Sequence, residues 1–71
     1  MKFKKLLDVM SLAQPIYVAT WHEGKLCDNF RVDSLPQYDP RCIALANAKV
    51  HEHGVFSSHD GGRYIFIDLE I

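Results

Sequence analysis

The sequence predicts an α+β fold: one N-terminal helix packed on an antiparallel sheet of about four strands, in the order helix-strand-strand-strand-strand. Three observations lead there. Phe3, Leu6, Leu7 and Met10 recur at helical spacing, the segment 15–32 is β-branched and aromatic about a glycine turn, and Ile65, Ile67, Leu69 and Ile71 alternate with Tyr64, Phe66, Asp68 and Glu70. At 71 residues the chain is one small domain spanning 1–71, of a size that buries only about 60% of its unfolded surface.

The opening helix is amphipathic, because Lys2, Lys4, Lys5 and Asp8 fill the gaps between the apolar positions. Pro15 disfavours helix at Gln14, and Pro15 to Trp21 reads as a first strand. His22-Glu23-Gly24-Lys25 is a turn with Gly24 supplying a positive φ, and Leu26 to Val32 returns as the second strand of a hairpin. The stretch 33–40 holds Pro36 and Pro40, so it is a connection rather than a central strand.

Residues 41–50 carry two conflicting signals. Asp39 as N-cap, Pro40 at the first helical position, the alanines and the later Gly54 suit a helix. Ile43 and Leu45 alternating with small residues suit a strand lying close under a helix, and this reading is preferred. The alternating run from Tyr64 closes the chain as a strand with one buried face.

Asp60-Gly61 is a favoured pair for a two-residue type I′ turn, which sets His59 opposite Gly62 and Ser58 opposite Arg63. Counting outward, Phe56 faces Ile65 and Val50 faces Ile71 on the inner side. Val55 faces Phe66, His53 faces Asp68 and His51 faces Glu70 on the outer side. This register turns Glu52 inward opposite Leu69, so a bulge near Gly54 is expected.

Three function classes follow from these residues. His51 and His53 share a strand face, and with Asp68 and Glu70 they would offer two nitrogens and two oxygens to zinc. The plainer reading, exposed imidazole–carboxylate pairs, is preferred, and neither a resident metal nor a cofactor is expected. Lys2, Lys4 and Lys5 form the chain's basic cluster, but eight basic against nine acidic side chains leave a formal charge of −1. Nucleic-acid binding through those lysines is therefore the weakest class. Tyr17, Ala19 and Trp21 share one face of the first strand, and Tyr64 and Phe66 the outer face of the last. An open aromatic face of this kind suits a protein partner, with Tyr17, Trp21, Tyr64 and Phe66 as contact residues; Trp21 alternatively belongs to the core.

Catalysis is not expected, since His22 has no nucleophile or orienting acid at a recognisable spacing and Gly61-Gly62 is followed by no phosphate-binding lysine. Cys27 and Cys42 match no paired-ligand spacing and read as reduced thiols, small core residues of a cytoplasmic protein. No apolar run approaches the ~20 residues of a membrane span. A strand edge and a small core make a homodimer reasonable.

The layout resembles short proteins of bacteriophages and integrated elements. The likeness lies in Lys2 to Leu7 as K-x-x-x-L-L, the hairpin Ile16 to Val32, the link Val32-Asp33-Ser34-Leu35-Pro36, and the closing run Tyr64 to Ile71. That resemblance favours strand for 41–50. Because such proteins include inhibitors of host defence, among them anti-CRISPR proteins, it implies a non-enzymatic binder of a host defence protein, acting in the host cytoplasm. It identifies no site residue.

Overall fold

The computed structural model describes residues 1–9, 15–33 and 35–71; Met10, Gln14 and Ser34 of the preceding argument lie outside them. Helix α1 (Phe3–Val9) is followed by strands β1 (Ile16–His22) and β2 (Lys25–Val32), a single 3-10 turn at Pro36–Tyr38, helix α2 (Pro40–Ala44), and strands β3 (Lys49–Ser57) and β4 (Arg63–Glu70). The class is α+β, with two short helices rather than one.

The first hairpin is as the sequence indicates. Glu23 and Gly24 have φ of 51° and 80°, the double positive φ that a type I′ turn requires. His22 therefore pairs with Lys25, and the ladder runs to Ile16 opposite Val32. A bulge after Thr20 leaves Cys27 without a partner in the register, and Cys27 is exposed rather than in the core.

The sheet order is β2-β1-β4-β3, with β1 and β4 parallel, so the sheet is mixed rather than antiparallel. Hydrophobicity explains the arrangement. β4 offers Ile65, Ile67 and Leu69 to one face and takes a central place, whereas β3, with His51, Glu52 and His53, takes the edge. The second hairpin thus joins β1 through its last strand, and the chain between β2 and β3 crosses over.

That crossover corrects the reading of 41–50 as strand. Asp39 caps α2 by accepting from the Arg41 N–H at 2.8 Å, with Pro40 at the first helical position. The strand begins only at Lys49. Cap and proline outweigh an alternation made largely of small residues, whose burial gains little on either face.

The second turn is one residue longer than a type I′ turn. The Gly61 N–H donates to the Ser58 carbonyl at 3.1 Å, the Ser58 N–H to the Gly62 carbonyl at 2.8 Å, and Gly61 has φ of 83°. This is a three-residue loop closed by a left-handed glycine. Asp60 steadies it, accepting from the Gly62 N–H at 3.0 Å and from the Ser58 hydroxyl.

The longer loop shifts the whole pairing by one. Phe56 lies opposite Tyr64, Val55 opposite Ile65, Gly54 opposite Phe66 and His53 opposite Ile67. A one-residue slip exchanges the faces of a strand, so Phe56 moves to the outer side and His53 and Val55 to the inner. The bulge stands at His51, between Val50 and Glu52, rather than near Gly54. The slip puts Glu52 on the outer side opposite Asp68, and the bulge returns Val50 to the inner side opposite Leu69.

The core lies between the inner face and the helices. Phe3, Leu6 and Leu7 of α1 and Cys42 of α2 are buried with Ile16, Val18, Val32, Ile67 and Leu69, each large side chain contributing about 1.5–3 kcal/mol by leaving water. Backbone bonds fasten the start of the chain to the start of β3: Phe3 N–H to Ala48 carbonyl at 2.9 Å and Val50 N–H to Met1 carbonyl at 2.8 Å. No helix among the described residues is long and apolar enough to cross a membrane.

Candidate functional site

The described helices pack on the inner side, and among the described residues the outer face of the sheet is left to its own side chains. Strand alternation places Tyr17, Ala19 and Trp21 of β1 there, beside Phe66, Asp68 and Glu70 of the parallel β4. β2 adds Arg31 opposite Tyr17 and Leu26 opposite Trp21, and β3 adds Phe56 and Glu52. The face divides into an aromatic end and an acidic end.

At the aromatic end the Tyr17 ring meets Tyr64 edge-on at 5.2 Å between centroids, and Tyr64 lies 5.3 Å from Phe56, which is 6.2 Å from both Tyr17 and Phe66. Edge and offset contacts at such spacing add about 0.5–1.5 kcal/mol each beyond area burial. The Arg31 guanidinium lies 5.7 Å from the Tyr17 ring centre and 6.0 Å from that of Tyr64, and donates to the Tyr17 hydroxyl at 3.3 Å. Asp33 accepts from Arg31 Nε at 2.5 Å and holds the guanidinium in its charged form.

The Phe66 ring is laid across the backbone of Gly54. A Cβ there would stand 2.9 Å from Phe66 Cε1 and 3.1 Å from Cζ, so glycine is what permits the ring to lie flat on β3.

The acidic end is a groove of about 350 Å³ around Trp21, lined by Glu23 and Gly24 of the turn, His51 and Glu52 of β3, and Asp68 and Glu70 of β4. Trp21 Nε1 donates to Asp68 Oδ1 at 3.3 Å, which fixes the half-buried indole against the strand. Lys49 stands 4.0 Å from Glu70, an exposed pair that contributes little. His22 Nδ1 lies 2.6 Å from the Ile71 carbonyl, and the Ile71 N–H donates to the Trp21 carbonyl at 2.9 Å, closing the strand ends.

The four partner-contact residues expected from the sequence, Tyr17, Trp21, Tyr64 and Phe66, share the outer face, and all are half-buried. Trp21 belongs to this face and not to the core. Phe56, Arg31 and Gly54 complete the face, and the sequence reading missed them. Phe56 was hidden by the misplaced register, whereas Gly54 carried a usable signal, since glycine inside a strand marks close approach.

The imidazole–carboxylate pairs do not form. His53 is on the other side of β3 from Asp68, whose carboxylate serves Trp21, and His51 occupies the bulge. Among the described residues no group of three or more His, Cys, Asp and Glu side chains is arranged to hold a metal ion. Lys2, Lys4 and Lys5 are exposed on and beside α1.

Comparison with known proteins adds no relative to this geometry: no family model matches the chain, and neither a curated protein nor a solved structure matches it.

Proposed function

We propose that the chain is a non-enzymatic protein-binding module that receives its partner on the outer face of the sheet. The observation that carries this reading is the contiguous aromatic surface of Tyr17, Phe56, Tyr64 and Phe66, continued by Trp21 on the side that no described helix covers. Rigid rings supply contact area at small entropic cost, and Tyr, Trp and Arg are the side chains that most often anchor interfaces. Arg31 beside the rings and the carboxylates around Trp21 give the two ends different electrostatic character, which fixes the orientation of a bound partner.

An inhibitor of a host defence enzyme is the most concrete form of this reading. It rests on the resemblance of short motifs alone, and a binding role does not depend on it.

The test is retention from the source organism's lysate on the immobilised chain, with Trp21→Ala, Tyr64→Ala as the comparison. Loss of a retained protein on the folded double variant supports the outer face as the docking surface. Equal retention by both forms, with circular dichroism showing the variant folded, counts against it.

A further inference from the structure

A sheet edge presents backbone N–H and C=O groups that only water or another strand can satisfy. The two edges of this sheet are treated differently. Along β2 two of the outward groups are occupied from within: the Asn29 N–H donates to the Asp28 carboxylate at 2.8 Å, and the Arg31 carbonyl accepts from the Arg41 guanidinium at 3.3 Å. The bulge at Cys27 interrupts the ladder, and Lys25, Asp28 and Arg31 place charge along it. Bulges and edge charges are the usual means of keeping a further strand away.

The start of β3 is also covered, by the bonds from Met1 and Phe3 and by the bridge between Lys2 and Lys49. Beyond His51 that cover ends. Because the Ser58 N–H bonds to the Gly62 carbonyl, alternation turns the backbone groups of Phe56 and Gly54 toward β4 and those of Ser57, Val55 and His53 away from it. Among the described residues nothing bonds to those outward groups. The open stretch His53-Gly54-Val55-Phe56-Ser57 carries no lysine, proline or carboxylate, and Val55 and Phe56 are 60% and 42% exposed.

The geometry points to a second copy of this chain as the occupant, β3 pairing antiparallel with its counterpart about a two-fold axis at Val55. Self-pairing about that axis gives every outward donor an acceptor: Val55 exchanges bonds with the partner's Val55, and His53 with the partner's Ser57. Side chains agree with this register. On the inner side two exposed valines meet, a favourable β-branched pair. On the outer side Gly54, with the Phe66 ring over it, faces the partner's Phe56, which continues the aromatic surface across the seam. The contact is isologous, and the bulge, the edge charges and the two occupied groups of β2 turn a further strand away, so the assembly closes at two.

Sedimentation velocity of the purified full chain, from about 1 µM to about 500 µM, reads the association. A concentration-dependent passage from monomer to dimer is expected. Val55→Lys, which sets like charges opposite each other at the axis, weakens it by about tenfold or more. Val55 is exposed, so circular dichroism should show an unchanged fold. Amide hydrogen exchange of the wild-type chain needs no variant: protection at His53, Val55 and Ser57 rises with protein concentration while that at Asn29 does not. A monomer throughout the range, a dimer that Val55→Lys leaves unchanged, concentration-independent exchange along β3, or assembly continuing past the dimer would each overturn the proposal.

Discussion

At Gly54 the difference between hydrogen and methyl decides how the outer face is packed, because the Phe66 ring occupies the space that a Cβ would take at 2.9 Å. Gly54→Ala must displace that ring, and with it the Phe56 contact at 6.2 Å. Overpacking of this kind costs about 1–3 kcal/mol. Urea denaturation should show the loss, and near-ultraviolet circular dichroism should show the altered aromatic environment; a fully stable Gly54→Ala chain would mean that the ring does not lie on β3.

The two thiols supply a second residue-scale contrast, between exposed Cys27 and fully buried Cys42. Burial pushes the Cys42 thiol up from 9.0 to about 11, so native Cys42 keeps its proton where the unfolded chain has lost it. The unfolded state then binds fewer protons, and stability falls as pH rises. The contribution is whole below about pH 9 and lost as pH passes through about 11. A thiol-reactive chromophore should label Cys27 at once at neutral pH and Cys42 only on unfolding, and Cys42→Ala should flatten the alkaline limb of the stability curve.

At the scale of single elements, α2 and the second turn show how far local sequence rules reach. Asp39, Pro40 and the alanines made α2 legible as the alternative to the preferred strand, and the cap is present as those residues imply. Asp39→Ala should lower stability by about 1 kcal/mol, with Asp39→Asn intermediate because it keeps a capping oxygen but loses the Arg41 pair. The Arg41 guanidinium holds the Asp39 carboxyl below its ordinary value. This contribution is therefore present above the ordinary carboxylate range and disappears as pH falls through the lowered value, a limb that Asp39→Asn should lack in acid titration followed by circular dichroism.

The second turn was legible in place but not in length. Asp60-Gly61 marks a reversal in either a two-residue or a three-residue loop, and one residue of loop exchanges the two faces of β3. The alternation of β4 fixed its own buried side, Ile67 and Leu69, without fixing which residues of β3 stand opposite. Hence Tyr64 and Phe66 were placed correctly while Phe56 and His53 were not. Gly61→Ala, at φ of 83°, should cost about 1–2 kcal/mol for the left-handed conformation, measured as a drop in the thermal midpoint.

For the whole molecule the parallel contact of β1 with β4 is the feature that no local pattern could show. It joins residues 16–21 to 65–70, and its cause lies in competition among strands for the two central places, won by the two that bury the most apolar surface. Those strands supply Ile16, Val18, Ile67 and Leu69 to one small core, to which α1 adds Phe3, Leu6 and Leu7. A core of this size leaves a net stability of only about 3–5 kcal/mol. Ile67 is fully buried opposite Val18, and truncating such a residue costs about 2–5 kcal/mol in lost transfer energy and cavity. The two quantities are equal in scale, so Ile67→Ala should leave much of the chain unfolded at 25 °C without denaturant, whereas Ile43→Ala, at a 58% exposed position on α2, should change stability by less than about 0.5 kcal/mol. Dispersion of backbone amide resonances distinguishes the two: collapse for Ile67→Ala and retention for Ile43→Ala. A folded Ile67→Ala chain would show that the stability resides outside the contact between the two central strands.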